Sequence, residues 1–200
     1  MLVWILLAVL ALVGGGIVAA RAGRSRPDRE LPPAPKDGQP LLERTVRDVR
    51  PDDIVQHNGR DWLVEGVVTY DEDGHTWRAA RMVDAGKQEW LLVGLDRGPL
   101  LTVRILEDAT GLSVSGYPPE TLEHGGVSYK LDKRGTANAS FKGDLKGLPG
   151  AQDGGALRCR WWKYNAAGEK VLLVEQWGDA YRPMVGRTVP PDDVDLLAAS

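Results

Sequence analysis

Alternation between apolar and polar residues is the dominant pattern of this chain after Leu41. The runs are short and are bounded by glycine, asparagine and aspartate, which is typical of strands joined by tight turns. Beyond that point an apolar period of 3.6 residues never persists for more than about two turns, so amphipathic helices are not expected. The pattern predicts a mainly β fold, made of duplicated small antiparallel β units that form a sandwich or a barrel-like domain.

A β-hairpin near residue 58 is the clearest local signal. Residues 53–57 are predicted to form one strand and residues 60–70 the returning strand. Between them, Asn58-Gly59 is a dipeptide that favours a two-residue turn with positive φ at both positions. Further strands are predicted at residues 76–83, 89–95 and 100–106.

The later part of the chain repeats the earlier part. IVQHNGRDWLV at residues 54–64 aligns with TLEHGGVSYKL at residues 121–131, and EWLLV at residues 89–93 aligns with KVLLV at residues 170–174. Two copies of a small β unit are expected to pack together, because each then covers the apolar face of the other.

This repeat predicts a first β unit at residues 48–110 and a second at residues 111–200. The second copy is longer between residues 131 and 170, where glycine, lysine and small residues are frequent. The offset between the aligned segments grows from 67 to 81 across this interval, and we expect most of the extra fourteen residues to be a surface loop.

An apolar segment at residues 2–20 contains nineteen residues without a charge. At about 1.5 Å per helical residue, that length matches a hydrocarbon core of roughly 30 Å. A cleaved secretory signal would need a charged amino end, which is absent, and a small-x-small cleavage site, for which Ala20-Arg21-Ala22 is a poor candidate. The segment therefore predicts a single transmembrane helix over residues 1–20.

Basic residues follow this segment directly, at Arg21, Arg24, Arg26 and Arg29, and none precedes it. The positive-inside rule then predicts a single-pass protein of the cell membrane whose soluble domain is cytoplasmic. Residues 21–47 are rich in proline and arginine and are predicted to form an extended linker. Its arginines would face the lipid headgroups of the bilayer.

The small residues of the apolar segment and the charge of the chain indicate which kinds of binding partner to expect. Ala11, Gly15 and Ala19 form a stripe of small residues that is a candidate for self-association in the membrane. The whole chain has a net charge of −3 while its linker is basic, so the domain is acidic and a nucleic-acid ligand is not expected. Other membrane-associated proteins are the expected partners.

The one cysteine, Cys159, excludes an internal disulfide and is expected to be a buried small hydrophobe.

Three short segments carry a family resemblance: HNGRDWLVEG at residues 57–66, WKY at residues 162–164 and EQWGD at residues 175–179. With these segments the chain resembles the bacterial family called domain of unknown function 4178, over roughly residues 48–197. The resemblance implies two such units in tandem and an accessory or scaffolding role beside membrane-associated stress and envelope proteins. It implies no activity, cofactor or catalytic residue.

Histidine is the first residue type to consider for chemistry. His57 and His124 precede corresponding hairpin turns, where the ring can bond a turn amide or carbonyl, and His75 stands apart from both. A metal site would need a third ligand that the spacing does not supply. We expect structural roles for these histidines and no metal or cofactor.

Aromatic and acidic residues of the second unit are the remaining candidates. Trp161 and Trp162 are adjacent, so in a strand they face opposite ways and one of them is expected to leave the core. Glu175, Trp177 and Asp179 alternate and would share one face of a strand that continues through Gly178. The candidate interaction or cleft residues are Trp161, Trp162, Tyr164, Glu175, Trp177 and Asp179.

The sequence therefore favours a membrane-tethered interaction or scaffold module of a bacterial envelope or stress-associated assembly. No catalytic, metal or nucleotide motif is present, so a non-enzymatic role is favoured. The alternative is a small-ligand sensor or enzyme that uses a cleft between the two β units, lined by Glu175, Asp179 and a neighbouring tryptophan.

Overall fold

A computed structural model describes residues 44–199 of the chain. Within that range, no helix is long and apolar enough to cross a lipid bilayer. The predicted anchor at residues 1–20, its small-residue stripe and most of the predicted linker lie outside the described residues.

β-strands make up most of the described residues, which confirms the predicted mainly β fold. The strands are β1 (Ile54–His57), β2 (Arg60–Glu72), β3 (His75–Asp84), β4 (Lys87–Val93), β5 (Val103–Asp108), β6 (Thr121–His124), β7 (Val127–Gly143), β8 (Ala156–Asn165), β9 (Lys170–Trp177), β10 (Ala180–Val189) and β11 (Val194–Leu197). Two short 3-10 helices, Val46–Asp48 and Pro191–Asp193, precede β1 and β11.

The predicted hairpin near residue 58 is present as β1 and β2. The two strands pair antiparallel, with His57 opposite Arg60. Asn58 and Gly59 have φ angles of 52° and 69°, which is the left-handed conformation that this turn requires.

Eight strands form a closed ring in the order β2, β3, β4, β5, β10, β9, β8, β7. The ring closes because residues 66–71 of β2 pair with residues 138–143 of β7. β1 and β11 extend the sheet beyond the start of β2, and β6 extends it beyond the start of β7. The sheet is continuous and antiparallel, so the barrel-like alternative describes it and a sandwich of two separate sheets does not.

Aromatic side chains fill the inside of the ring. One buried cluster draws residues from all eight ring strands, which places it in the interior. Tyr70 and Trp77 stack with ring centroids 5.1 Å apart, and Trp161 meets Trp77 edge-on at 5.8 Å. A large side chain buried from water contributes about 1.5–3 kcal/mol, so this cluster is a main source of stability.

Two further clusters lie on the outside of the ring. The first covers the outer faces of β2 to β5 and includes Val46, Val55 and Val194, which the first 3-10 helix, β1 and β11 contribute. The second covers β8 to β10, where Leu112 and Val114 from the segment between β5 and β6 pack against it. The ring is thus buried on both faces in these two regions.

The predicted surface loop accounts for most of the extra length of the second copy, because residues 144–155 join β7 to β8 where residues 73 and 74 alone join β2 to β3. β7 continues to Gly143, and only residues 144–155 connect it to β8. Residues of this stretch alternate, with the small Ala137 and Ala139 and the larger Phe141 buried in the interior cluster. Small side chains suit these positions because the interior is already occupied by large rings, so a low-hydrophobicity sequence forms a central strand here.

Glycine allows close strand contact where strands β1–β5, which we call the first set, meet strands β6–β10, which we call the second set. A Cβ atom on Gly186 of β10 would lie 1.9 Å from the carbonyl oxygen of Ile105 in β5. In the other contact, between β2 and β7, a Cβ on Gly66 would lie 2.5 Å from the carbonyl oxygen of Asp144. The ring closes at both places because these positions have no side chain.

Candidate functional site

The adjacent tryptophans of β8 are both buried, contrary to the prediction that one of them leaves the core. Trp161 lies inside the ring and is 6% exposed, while Trp162 lies on the outer face and is 3% exposed. Tyr117 covers Trp162 edge-on at 5.8 Å. The Tyr164 hydroxyl donates a 2.9 Å hydrogen bond to the Pro119 carbonyl, which holds the same covering segment in place.

Glu175 and Trp177 share the inside of the ring, but Asp179 does not join them. β9 ends at Trp177, and Gly178 adopts a φ of 59°. This left-handed turn breaks the alternation and leaves Asp179 exposed beside the segment at residues 112–116. The predicted pair of carboxylates on one strand face is therefore not formed.

Glu175 is 2% exposed and is held by three neighbours. The Tyr70 hydroxyl donates to Oε1 at 2.5 Å, and the Trp177 ring nitrogen donates to Oε2 at 3.2 Å. Arg182 lies 3.7 Å away and donates two hydrogen bonds to Asp108, at 2.8 and 2.9 Å. Burial raises the pKa of Glu175, an effect that the Arg182 charge and these hydrogen bonds oppose. This arrangement fits a structural role in the core.

A second buried group of charges surrounds Asp96. Lys163 donates to Asp96 at 2.6 Å and lies 2.7 Å from Asp132, and Arg104 also pairs with Asp96. Lys163 and Arg104 are each only 4% exposed at the side chain. Burial alone would raise the pKa of Asp96, but the hydrogen bonds and charges of Lys163 and Arg104 lower it well below its ordinary value.

The histidines have the structural roles expected for them where the structure gives partners. His57 is 5% exposed, with Nδ1 3.0 Å from the Asp193 carbonyl and Nε2 2.9 Å from the Asn58 side-chain amide. His75 lies 3.2 Å from the Leu95 carbonyl. Across residues 44–199 no group of three or more His, Cys, Asp or Glu side chains is placed to hold a metal ion.

A cleft of about 400 Å³ opens on the outside of the ring where β5 pairs with β10, and we call it the seam cleft. Both sets of five strands line it. The first set contributes His57, Asn58, Glu89, Ile105, Leu106 and Glu107. The second set contributes Tyr129, Lys170, Val185, Gly186 and Arg187.

Four charged side chains line the seam cleft without an ion-pair partner. Glu89, Glu107, Lys170 and Arg187 make no contact of 4.0 Å or less with an opposite charge among the described residues. Partial burial raises the pKa of Glu89, and the neighbouring charge of Glu107 adds to this increase while His57 opposes it. The cleft thus places four charged side chains, of which Glu107, Lys170 and Arg187 are exposed to solvent, beside apolar wall residues, and a binding site can have this composition.

The lining does not supply a serine or cysteine nucleophile with a histidine base. Serine, threonine and cysteine are absent from the residues that line the cleft. His57 has both ring nitrogens within hydrogen-bond distance of neighbouring groups, so neither faces the cleft as a free base. The arrangement can bind and orient a polar ligand.

The predicted site residues and the cleft residues do not overlap. The sequence did carry a signal for the cleft, because the alignment of EWLLV with KVLLV places Glu89 and Lys170 at corresponding positions. That alignment indicates a shared cleft only if β5 and β10 are neighbouring strands, and the spacing of residues in the sequence does not reveal that they are.

Comparison with known proteins shows a family match. A family model described as Domain of unknown function (DUF4178) matches residues 50–191, which include all eight ring strands. Neither a curated protein nor a solved structure matches the chain.

Proposed function

The chain belongs to the family described as Domain of unknown function (DUF4178), and from this premise we propose that it is a membrane-tethered interaction module that binds its partner in the seam cleft. The assembly it serves would be one of the bacterial envelope or stress response. This proposal combines the scaffold and ligand-sensor interpretations of the sequence, since the module recruits its partner through a defined cleft.

The unpaired charges of the seam cleft are the observation that carries the proposal. Glu89, Glu107, Lys170 and Arg187 come from four different strands and converge on one cleft. Charged groups gathered without partners around an apolar wall favour a ligand that supplies the missing charges.

A binding role fits the cleft better than a catalytic one. The cleft has no serine, threonine or cysteine, and its one histidine, His57, is held by Asp193 and Asn58. We therefore propose recognition without chemistry on the ligand.

We further propose that the domain arose as two tandem copies of one five-stranded unit. In support, β1 to β5 and β6 to β10 have the same order of antiparallel pairing. Leu91 to Val93 and Leu172 to Val174, which the sequence alignment matched, lie in the corresponding strands β4 and β9. The seam cleft then lies between the two copies.

The membrane tether is a proposal supported by the sequence. Residues 2–20 are uncharged and apolar, and arginines follow them. A tether would keep the cleft near partners in or on the membrane and raise their effective concentration.

Site-specific photo-crosslinking in native membranes tests the binding role. The full chain carries a photoreactive amino acid at Lys170 in the cleft, or at Arg160 on the exposed face of β8 as the matched control. We expect a discrete adduct from position 170 that is absent from position 160. The adduct should disappear when Glu107→Gln and Arg187→Gln are added to the chain.

Two results would overturn the binding proposal. One is the same adduct pattern from positions 170 and 160, which would mean contact without a defined site. The other is an adduct from position 170 that persists in the doubly substituted chain, which would mean that the cleft charges do not recruit the partner.

The tether has a separate test. Two arginines placed in the apolar segment, Leu7→Arg with Leu10→Arg, should release the chain from membranes in alkaline carbonate, because each arginine costs about 2.5–3.5 kcal/mol at a helix centre. Protease added outside intact cells should spare the wild-type domain. Retention of the substituted chain in membranes would contradict the tether, and digestion in intact cells would contradict a cytoplasmic domain.

A further inference from the structure

The seam cleft lies at a local two-fold relationship between the two sets of strands. Trp90 pairs with Leu106 between β4 and β5, and Val171 pairs with Gly186 between β9 and β10. Leu106 and Gly186 in turn lie opposite each other across the seam. Corresponding positions of the two sets therefore meet at the same place.

The charges at corresponding positions are opposite in sign. Glu107 follows Leu106 and Arg187 follows Gly186, the two residues that face each other across the seam. Glu89 and Lys170 are the first residues of the aligned segments EWLLV in β4 and KVLLV in β9. The first set of strands thus gives the cleft two carboxylates, while the second set gives an ammonium and a guanidinium group. One side of the cleft is acidic and the other is basic.

The spacing across the seam suits a ligand with two charged ends. Glu107 lies opposite Val185, and Arg187 lies opposite Ile105. Glu107 and Arg187 are therefore diagonal neighbours, and such pairs are about 7–8 Å apart. Two extended residues of a peptide also span about 7 Å, so a dipeptide has a length that the flexible Glu107 and Arg187 side chains could contact from these two positions.

The rest of the cleft supplies an apolar wall and one polar group. Ile105 and Val185 line the cleft beside the charges. Tyr129 is 5% exposed and also lines the cleft, and its hydroxyl makes no hydrogen bond with another described residue. A donor or acceptor on the ligand backbone would satisfy that hydroxyl, which would otherwise depend on water.

On the basis of the proposed function, we infer that the seam cleft binds a zwitterionic ligand of dipeptide size that has apolar side chains. Its ammonium group lies toward Glu89 and Glu107, and its carboxylate lies toward Lys170 and Arg187. The apolar side chains lie against Ile105 and Val185. The cleft volume of about 400 Å³ is within the range of small-ligand sites.

Calorimetric titration of the full chain in detergent with three matched probes tests this inference. The probes are leucyl-leucine, its N-acetylated form without the ammonium group, and its amide without the carboxylate. We expect saturable binding of leucyl-leucine, and binding about tenfold weaker for each blocked form, because each lacks one charge-assisted hydrogen bond.

Substitutions in the cleft should remove these preferences one at a time. Glu107→Gln should weaken leucyl-leucine binding about tenfold and leave the N-acetylated form unaffected. Arg187→Gln should weaken leucyl-leucine binding and leave the amide unaffected. The control Arg160→Gln removes an exposed charge outside the cleft and should change none of the three.

Equal binding of the three probes, or no binding of any probe at millimolar concentration, would overturn the zwitterion inference. The zwitterion inference would also be overturned if Glu107→Gln and Arg187→Gln both left the preference for leucyl-leucine over its blocked forms unchanged. Any of these results together with a charge-dependent crosslink from position 170 would leave the proposed binding function intact. If the crosslink from position 170 instead persists after Glu107→Gln and Arg187→Gln, the proposed binding function itself is overturned.

Discussion

The hydroxyl of Tyr70 donates a 2.5 Å hydrogen bond to Oε1 of Glu175 in the interior of the strand ring. The two residues are 1% and 2% exposed and are separated by 105 positions in the chain. The bond therefore joins β2 to β9, which do not pair with each other in the ring. Because a buried carboxylate without a donor is costly, this contact should contribute to the stability of the closed sheet.

Tyr70→Phe tests this contribution. The substitution keeps the stacked ring but removes one of the donors to a buried carboxylate, so we expect a loss of about 1.5–3 kcal/mol in the free energy of unfolding. Urea titration of the full chain, followed by tryptophan fluorescence, measures it. Tyr117→Phe is the matched control, because Tyr117 is 61% exposed and should tolerate the change. Equal midpoints for the two variants would show that the Tyr70 hydroxyl contributes no stability.

Asp96 should make stability depend on pH in the acidic range. Its pKa is lower in the folded chain than its ordinary value of 3.8, so its contribution is present above pH 3.8 and is lost as pH falls toward the folded pKa. Asp96→Asn should destabilise the fold by about 3–5 kcal/mol at neutral pH, because Lys163 and Arg104 lose a buried partner.

The same substitution gives the pH measurement. The difference in unfolding free energy between wild type and Asp96→Asn should shrink as pH falls below 3.8. Asp195→Asn serves as the control for loss of an exposed carboxylate. A difference for Asp96→Asn that stays constant between neutral pH and pH 3 would contradict the assignment.

The strands could largely be predicted because their signals are local. Asn58-Gly59 marks its turn through the φ angles that the two residues adopt, and the alternation on either side defines β1 and β2. The closure of the ring could not be predicted, because apolar and polar residues alternate along a strand in the same way in a sandwich and in a closed ring. The pairing of Gly66 with Gly143 depends on contacts between distant parts of the chain.

The site was harder to predict than the fold. Glu175 lies in an alternating run and was expected on a surface or cleft, yet Tyr70 and Arg182 from other strands make its burial tolerable. Glu89 and Arg187 have ordinary surface signatures in the sequence. They become a candidate site only because β5 and β10 are adjacent.

Gly186 should be required for the seam between β5 and β10. A Cβ atom there would lie 1.9 Å from the Ile105 carbonyl oxygen, so Gly186→Ala should move the two strands apart and cost about 3 kcal/mol or more. Gly98→Ala is the control, because a Cβ there meets no atom within 4 Å. Thermal unfolding of the two variants measures the difference. A Gly186→Ala chain as stable as the Gly98→Ala chain would contradict the close contact.

Cys159 should be inert in the folded chain. It is 0% exposed, and burial together with the charge of Glu175 raises the pKa of its thiol well above the ordinary value, so little thiolate forms at neutral pH. We expect no reaction with a disulfide reagent in native buffer and one thiol per chain after denaturation in urea. Arg160→Cys adds an exposed thiol on the same strand and should react at once, which controls for reagent access to this surface. Rapid labelling of the wild-type chain under native conditions would mean that β8 opens readily and that the ring is less stable than its packed interior implies.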